Sequence, residues 1–276
     1  MFYKIISKNS LLFIFLLLVS CNSSKKEELE ANEQIKNIEN LIEKNALNDA
    51  KIKIDSFHIL FRKLVDKRRI ASALEDTIIR RECTRNLLFC DSVYPIKKQE
   101  FDSIAQYFRF EKDTVYQKYG NYINKNQITE QNSNRNYLKC IVDENAGLQL
   151  ISNYTGTKIA HNWIEVKSGE IYAAPDSTNK SGISEHYYND GSYYFERVTF
   201  ENEAALNIVK FIYNNKLSGI TVTLKGKKNY NYKLNSKDTK AIADAYHLWI
   251  LKTDLLKLEK EILKSKTKIQ KINLRK

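Results

Sequence analysis

Histidine is the side chain best suited to acid–base or metal chemistry near neutral pH. The chain carries four, His58, His161, His186 and His247. No two of them stand four residues apart around a glutamate, as zinc hydrolases require, and no Gly-x-Ser-x-Gly or glycine-rich phosphate motif is present. The acidic residues are scattered among lysines, so no general acid–base pair is predicted. The sequence therefore favours a non-enzymatic protein with no catalytic residue, metal or cofactor.

Aromatic residues are the better candidates for a binding site. Two Tyr-Tyr pairs flank a turn at Asn189–Gly191. Because side chains alternate along a strand, one tyrosine of each pair should face outward. Outward-facing Tyr188 and Tyr193, with Trp163 beside them, would form an aromatic platform for a sugar or a protein partner. The strand propensity of tyrosine would explain the same cluster without any binding role.

The beginning of the chain predicts export. Lys4 and Lys8 precede an uncharged apolar run, Leu11–Val19. As a helix this run would rise about 14 Å, half of a hydrocarbon core of roughly 30 Å, so it is too short to span a membrane. A positive segment followed by a short apolar segment is typical of a secretory signal peptide, predicted here for residues 1–20.

The end of this run resembles the lipobox of bacterial lipoproteins, in Leu18-Val19-Ser20-Cys21. The resemblance implies that Cys21 becomes the first residue and carries acyl chains. At about 0.8 kcal/mol per buried methylene, two or three chains would hold the protein in a membrane. Residues 21–28 are predicted to be a tether, and Lys25–Glu28 resembles the export signal of surface lipoproteins in the Bacteroidota. The resemblance implies an outer-membrane protein of the cell envelope, with surface exposure favoured over the periplasmic side.

The chain is basic, with a formal net charge of +12. Basic chains often bind nucleic acid, but no nucleic-acid partner is expected in the envelope. We expect this charge to be surrounded by anionic lipid, by acidic polysaccharide, or simply by the water around solvated lysines. After Cys21 the cysteines are odd in number, Cys83, Cys90 and Cys140. They are expected to be buried and reduced.

Regular structure should dominate, since the chain has only two prolines and eight glycines. Residues 29–110 are predicted to be helical. Apolar residues at spacings of three and four predict a hairpin with a corner at Asn45–Asn48, and its second arm continues through Ile54–Ile78 with a kink near Arg68-Arg69. Tyr94-Pro95 is predicted to end that arm, and a short helix is expected at Glu100–Phe108.

The middle of the chain changes to strand patterns. Residues 111–135 are predicted to be a polar connection and a domain boundary, with one edge strand near Tyr119–Ile123. Residues 136–235 are predicted to form an antiparallel β domain. In its strongest hairpin, Asp190-Gly191 is expected to supply the positive φ angles of a tight turn. A helix over Glu203–Tyr213 is predicted to interrupt the strands.

Residues 236–276 predict one long amphipathic helix of coiled-coil type, capped at its start by Ser236 with Asp238. Its apolar seam is broken by a single polar residue: Leu248, Leu251, Leu255, Leu258, Ile262, Ser265, Ile269 and Ile272. The seam needs a partner, which could be the N-terminal arm, a second copy of the chain or another protein. The preferred interpretation packs it on the Ile54–Ile78 helix as a stalk. The predicted fold class is therefore α+β.

Taken together, these features resemble envelope lipoproteins of the Bacteroidota. The resemblance implies no particular activity. The segments FRFEKD (Phe108–Asp113), YLKCIVDEN (Tyr137–Asn145) and AYHLWI (Ala245–Ile250) carry the resemblance. Three functions stay open: a non-enzymatic binding or structural module with a protein partner, a glycan-binding module, and an envelope hydrolase. The hydrolase requires His161 or His186 beside a carboxylate and a nucleophile in one cleft.

Overall fold

A computed structural model describes residues 8–132, 135–175 and 182–275, with side chains from Lys25 onward. Within these residues the chain forms five helices and ten strands, and every strand pair is antiparallel. The predicted α+β class is confirmed. The chain divides into two compact units. We call Met1–Phe89 with Glu261–Lys276 the helical unit and Cys90–Lys260 the sheet unit.

The helical unit begins with an antiparallel pair of helices. Helix α1 spans Lys8–Glu43 and helix α2 spans Leu47–Leu60, so the backbone of residues 21–28, predicted to be a tether, is part of α1. The connection is three residues long, and Asn45 adopts a φ of 59° there, a conformation that asparagine tolerates better than most residues. The facing apolar stripes are buried: Ala31, Ile35, Ile38 and Ile42 on α1 with Leu47, Ala50, Ile54 and Phe57 on α2.

The second arm of the hairpin is two helices rather than one. Helix α2 ends at Leu60, and helix α3 begins at Val65 and runs to Ala105. Phe61 is buried and packs on Phe57 with ring centroids 4.7 Å apart. This contact draws the turn into the core, so the break precedes the kink predicted at Arg68-Arg69.

The prediction that Tyr94-Pro95 ends the helix is wrong, because α3 continues through Pro95. An internal proline costs a helix roughly 3 kcal/mol. Tertiary contacts on both sides of it compensate for that cost. Cys90 and Phe101 are buried, and the hydroxyl of Tyr94 donates a hydrogen bond to Glu259 at 2.9 Å. The first part of the separate helix predicted at Glu100–Phe108 is therefore the end of α3, which stops at Ala105, and Phe108 already belongs to strand β1.

The sheet unit contains two antiparallel sheets. One has six strands in the order β1 (Phe108–Glu111), β2 (Asn121–Asn124), β3 (Tyr137–Asp143), β4 (Leu148–Gly156), β8 (Tyr194–Glu201) and β7 (Ile183–Asn189). The other has four, in the order β10 (Tyr230–Lys233), β9 (Thr221–Lys225), β5 (Trp163–Ser168) and β6 (Ile171–Ala173). The strand expected near Tyr119–Ile123 is β2, but it is not an edge strand, because it lies between β1 and β3. It pairs with β3, so residues 111–135 lie inside the sheet unit, and the two compact units divide within helices instead.

One apolar core fills the sheet unit. Helix α4 (Glu203–Asn214), where an inserted helix was predicted, contributes Ile208 and Ile212, and β4 and β8 contribute Leu150 and Phe200. Cys140 is buried in the same core. Cys83, Cys90 and Cys140 are all buried, as predicted, and none of them forms a disulfide.

The turn between β7 and β8 differs from the tight turn that was predicted. The loop has four residues, Asp190–Tyr193, and of the Asp190-Gly191 pair only Gly191 has a positive φ, 95°. Asp190 instead caps the loop, because its carboxylate accepts hydrogen bonds from the backbone of Ser192 and Tyr193 at 2.9 and 2.8 Å.

The C-terminal helix α5 spans Ser236–Asn273. Leu248, Leu251 and Leu255 of its seam are buried in the core of the sheet unit. In the helical unit the seam faces α3. There the hydroxyl of Ser265, the one polar position of the seam, accepts a hydrogen bond from Asn86 at 3.0 Å. Asn86 lies beyond Ile78, but near the end of α5 Arg275 pairs with Asp76 of α3 at 3.3 Å, so the contact includes the predicted part of α3 and also extends beyond it.

Asn235, rather than Ser236, caps the start of α5. Its side-chain oxygen accepts the N–H of Asp238 at 2.7 Å, and its amide donates to the Asp238 carboxylate at 2.8 Å. That carboxylate is only 1% exposed and also binds the guanidinium of Arg135 through both oxygens. Asp238 therefore joins the helix start to the segment that precedes β3.

We expect Asp238→Ala to lower the free energy of unfolding by about 3 kcal/mol, because it removes a buried carboxylate that several donors share. Urea unfolding followed by circular dichroism measures this change. Asp244→Ala is the matched control, since that aspartate pairs with Lys240 at the surface of the same helix, and it should cost less than about 1 kcal/mol. Equal losses in both variants would contradict the role of Asp238.

Candidate functional site

The outer face of the six-stranded sheet carries two adjacent rows of polar and aromatic side chains. In the first row Tyr137, Asn153, Arg197 and His186 stand opposite one another across β3, β4, β8 and β7. In the second row Thr155, Phe195 and Tyr188 stand across β4, β8 and β7. Strand side chains two residues apart share a face, so both rows form one floor. We call this floor and its wall the sheet groove.

The wall of the sheet groove is formed by Thr129, Asn132 and Arg135. The groove has a volume of about 310 Å³. Arg135 lies over the ring of Tyr137, 4.6 Å from its centroid, and donates to the side-chain oxygen of Asn132 at 2.7 Å. Asn132 in turn donates to the carbonyl of Ile128 at 2.7 Å. Together with the ion pair to Asp238, these bonds hold Arg135 in one position.

The groove is positively charged on its open side. Arg135 is neutralised by Asp238, but Arg197 is exposed and is hydrogen-bonded to the neutral side chain of Asn153, with 3.3 Å between Nε and Oδ1. His186 stands directly beside Arg197 on β7. Glu196 lines the groove from β8, yet its carboxylate is directed to the other face of the sheet, where it binds backbone amides. An anionic ligand would thus meet a guanidinium without meeting a carboxylate.

Asn153 supplies a donor that the described residues leave without a partner. Its amide nitrogen Nδ2 is buried, and no described acceptor lies within hydrogen-bond distance. A buried donor left unsatisfied costs about 1–3 kcal/mol. An acceptor oxygen of a ligand placed between Asn153 and Arg197 would recover that cost.

The structure separates the residues proposed for the aromatic platform. Tyr188 lies on the groove floor, 60% exposed, with its ring centroid 5.8 Å from that of Phe195. Tyr193 is exposed in the loop between β7 and β8. Trp163 belongs to β5 in the four-stranded sheet, where it pairs with Lys225. The groove thus contains Tyr188 alone of the three candidates.

A second polar cluster lies on the inner face of the same sheet. Nε2 of His161 is 3.1 Å from the hydroxyl of Ser152, and Nδ1 is 2.7 Å from the carboxylate of Glu196. Serine, histidine and carboxylate thus stand in the order that serine hydrolases use. Both Ser152 and His161 are 0% exposed, however. A substrate could reach the Ser152 hydroxyl only after the core opens.

The hydrogen bonds of Glu196 indicate a structural role for this cluster. Its carboxylate accepts the backbone N–H groups of Ile159, Ala160 and His161 at 2.8–2.9 Å. Burial alone would raise the pKa of Glu196, but these bonds and that of the imidazole hold it below its usual value. Burial lowers the pKa of His161. Glu196 is therefore ionised and His161 neutral, which fixes the loop that leads into β5.

Sequence reasoning found only part of the groove. The β7–β8 hairpin, visible in the sequence, places His186 on the same face as Tyr188 by alternation. Asn153 and Arg197 meet because β4 pairs with β8 across more than forty residues. No local pattern in the sequence predicts a pairing between two strands that lie so far apart in the chain.

Other candidate features are absent from the part of the chain that the structure describes. No three His, Cys, Asp or Glu side chains converge there to hold a metal ion. Within the same residues, no helix is both long and apolar enough to cross a membrane. Comparisons of the chain with protein-family models, curated proteins and solved structures find no match. The geometry of the groove is therefore the principal guide to what the sheet unit binds.

We expect Glu196→Gln to lower the free energy of unfolding by about 3 kcal/mol at pH 7, because a neutral amide cannot accept four N–H groups equally well. Below pH 6.5 the wild type should lose stability, since the unfolded chain protonates His161 more readily than the folded chain does. Below pH 4.5 protonation of Glu196 should shrink the difference between wild type and variant.

Urea unfolding at several pH values tests this prediction. Glu165→Gln is the matched control, because Glu165 pairs with Lys225 near the surface of the four-stranded sheet. It should cost less than about 1 kcal/mol. A difference between Glu196→Gln and wild type that stays constant down to pH 3 would contradict the ionised state of Glu196.

Proposed function

We propose that this protein is a lipid-anchored, non-enzymatic binding protein of the bacterial cell envelope, held in the outer membrane through Cys21. The sheet groove binds an acidic saccharide. The anchoring half of this proposal rests on the lipobox sequence Leu18–Cys21, because the side chain of Cys21 lies outside the described residues. The binding half rests on the groove.

One observation carries the binding proposal: the buried Nδ2 donor of Asn153 lies beside Arg197, which pairs with no carboxylate among the described residues. A carboxylate or a sugar hydroxyl would accept from Asn153, and a carboxylate would also pair with the guanidinium of Arg197. Buried groups that lack their partner make a site selective for ligands that supply it.

The aromatic residues of the floor suit the rest of a sugar. Tyr188 is exposed beside Phe195, so the two rings offer an apolar surface next to the charged row. The C–H face of a pyranose can lie on such rings while its hydroxyls reach polar neighbours. Ligand pockets range from roughly 300 to 1,000 Å³, so the volume of the sheet groove suits a short saccharide.

The same geometry gives less support to an envelope hydrolase. The histidine that lines the groove, His186, has no serine or cysteine opposite it in its row, where its partner is Arg197. The histidine that does contact a serine and a carboxylate, His161, is buried on the other face. A binding function uses the groove as it stands.

We expect Tyr188→Ala and Arg197→Ala each to weaken binding of acidic oligosaccharides by about tenfold or more, because each removes a direct contact on the floor. Isothermal titration with uronic acid oligosaccharides and their neutral counterparts measures this change. Tyr172→Ala, which removes an exposed tyrosine of the four-stranded sheet, should bind like wild type. Preference of the wild type for the neutral sugars, or unchanged binding by both groove variants, would refute the proposal.

We expect extracellular protease to digest the protein on intact cells, and replacement of Lys25–Glu28 by alanine to protect it. The reason is that a surface-export signal lies directly after the lipidated residue. Immunoblotting of treated cells against a periplasmic marker measures the digestion. Cys21→Ala should release the protein from the membrane fraction. Protection of the wild type would place the protein on the periplasmic side.

A further inference from the structure

The helical unit contains a basic pocket of about 600 Å³ between the end of α2, the first turns of α3 and the end of α5. We call it the arginine pocket. Its ionisable lining groups are four arginines and a histidine with one aspartate: Arg68, Arg69, Arg80, Arg275, His58 and Asp76. Four guanidinium groups against one carboxylate leave an excess of positive charge in a concave site.

Two of the four arginines have a structural role. Arg80 donates to Asn273 at 2.9 Å, and Arg275 lies 3.3 Å from Asp76, so these side chains join α3 to α5. Asp76 is thereby occupied. The arginine pocket keeps its shape through these two contacts.

The other two arginines are available to a ligand. Nε of Arg68 donates to the ring nitrogen of His58 at 3.4 Å, which leaves its charge without a carboxylate. Arg69 pairs with Asp66 at 3.4 Å, but both side chains are largely exposed, 79% and 90%. Exposed pairs of this kind contribute little and exchange readily with water. Arginine forks match the oxygens of a phosphate group, so the free chemistry of the pocket is that of a phosphate site.

Exposed apolar side chains occur at the pocket and beside its lining residues in the sequence. Val65 lines the pocket. Ile59 and Leu274 are sequence neighbours of the lining residues His58 and Arg275, and Leu60 is the last residue of α2. All four apolar side chains are more than half exposed. Apolar side chains beside arginines are typical of protein surfaces that lie in the headgroup region of a membrane. A site for a soluble phosphate compound needs no such apolar border.

The pocket also lies at the anchored end of the helical unit. Helices α1 and α2 are antiparallel. Leu60 in α2 and Glu30 in α1 are the same number of residues away from the turn that joins the two helices. The end of α2 therefore lies beside the part of α1 near Glu30. From there to Cys21 is nine residues, about 14 Å along a helix.

We propose that the arginine pocket binds the phosphate of an anionic lipid headgroup in the membrane that holds Cys21. The location of the membrane rests on the proposed lipid anchor, but the affinity of the pocket for anionic lipid does not. Charge complementarity favours an anion, and the apolar border and the position at the anchored end favour a lipid over a soluble anion. Bound headgroups would fix the orientation of the helical unit on the membrane surface.

The test uses the chain from residue 21 onward with Cys21→Ser, which carries no acyl chain, and vesicles of phosphatidylcholine with or without phosphatidylglycerol. We expect binding to the anionic vesicles only. Arg68→Gln/Arg69→Gln should weaken it about thirtyfold, since each basic residue at an anionic surface contributes roughly a factor of five. Arg80 and Arg275 stay in place, so the variant should fold, which circular dichroism and thermal unfolding check.

The matched control is Lys44→Gln/Arg85→Gln, which removes two charges at the opposite end, around the turn between α1 and α2, where Arg85 contacts Asn45. It should bind anionic vesicles within about threefold of wild type. Equal loss in both double variants would show diffuse attraction and overturn the proposal. Displacement from vesicles by millimolar inorganic phosphate at constant ionic strength would assign the pocket to a soluble anion instead, and would overturn it too.

The vesicle result is separable from the anchoring proposal. Because the protein tested has no acyl chain, its binding to vesicles does not depend on the anchor, and the two double variants report the contribution of the pocket. Release of Cys21→Ala from cell membranes reports the anchor alone. Each result can fail without the other.

Discussion

The pairing of β4 with β8 is the longest ladder of the six-stranded sheet, and its two faces have opposite character. On the inner face Ser152 and Val198 are fully buried, and Leu150 packs against Phe200 in the same core. On the outer face Asn153 stands opposite Arg197. A shift of one residue in this register would exchange the faces, placing Arg197 in the core and Val198 in the groove. Core and groove are therefore specified by the same pairing, and neither can change without the other.

Two buried carboxylates shape the surroundings of the groove. Asp238 binds Arg135 and thus positions the segment that forms the wall. Glu196 collects the amides of the loop into β5. Each satisfies its charge with several donors, as buried ionised groups must. Ser152, His161 and Glu196 are hydrogen-bonded in the same order as the residues of a catalytic triad. Because this cluster is closed to substrate, its hydrogen bonds fix a loop instead.

The two functional candidates share one kind of chemistry. The arginine pocket and the sheet groove both combine arginine with exposed apolar or aromatic side chains. The first suits a phosphate at a lipid surface and the second a carboxylate on a sugar. A lipid-anchored protein that binds acidic saccharides would use both, one to hold the membrane and one to hold the ligand.

The sequence by itself determined the α+β class, the positions of most strands, the inserted helix and the seam of α5, because these depend on local periodicity of apolar residues. Even Tyr188 could be assigned to an exposed face by alternation. Tertiary structure alone decided that α3 continues through Pro95, since contacts from α5 and the core outweigh a local preference. It alone brought Asn153 to Arg197 and Arg135 to Asp238, and it alone separated Trp163 from Tyr188. These outcomes depend on contacts between residues far apart in the chain, and such contacts leave no periodic signal in the sequence.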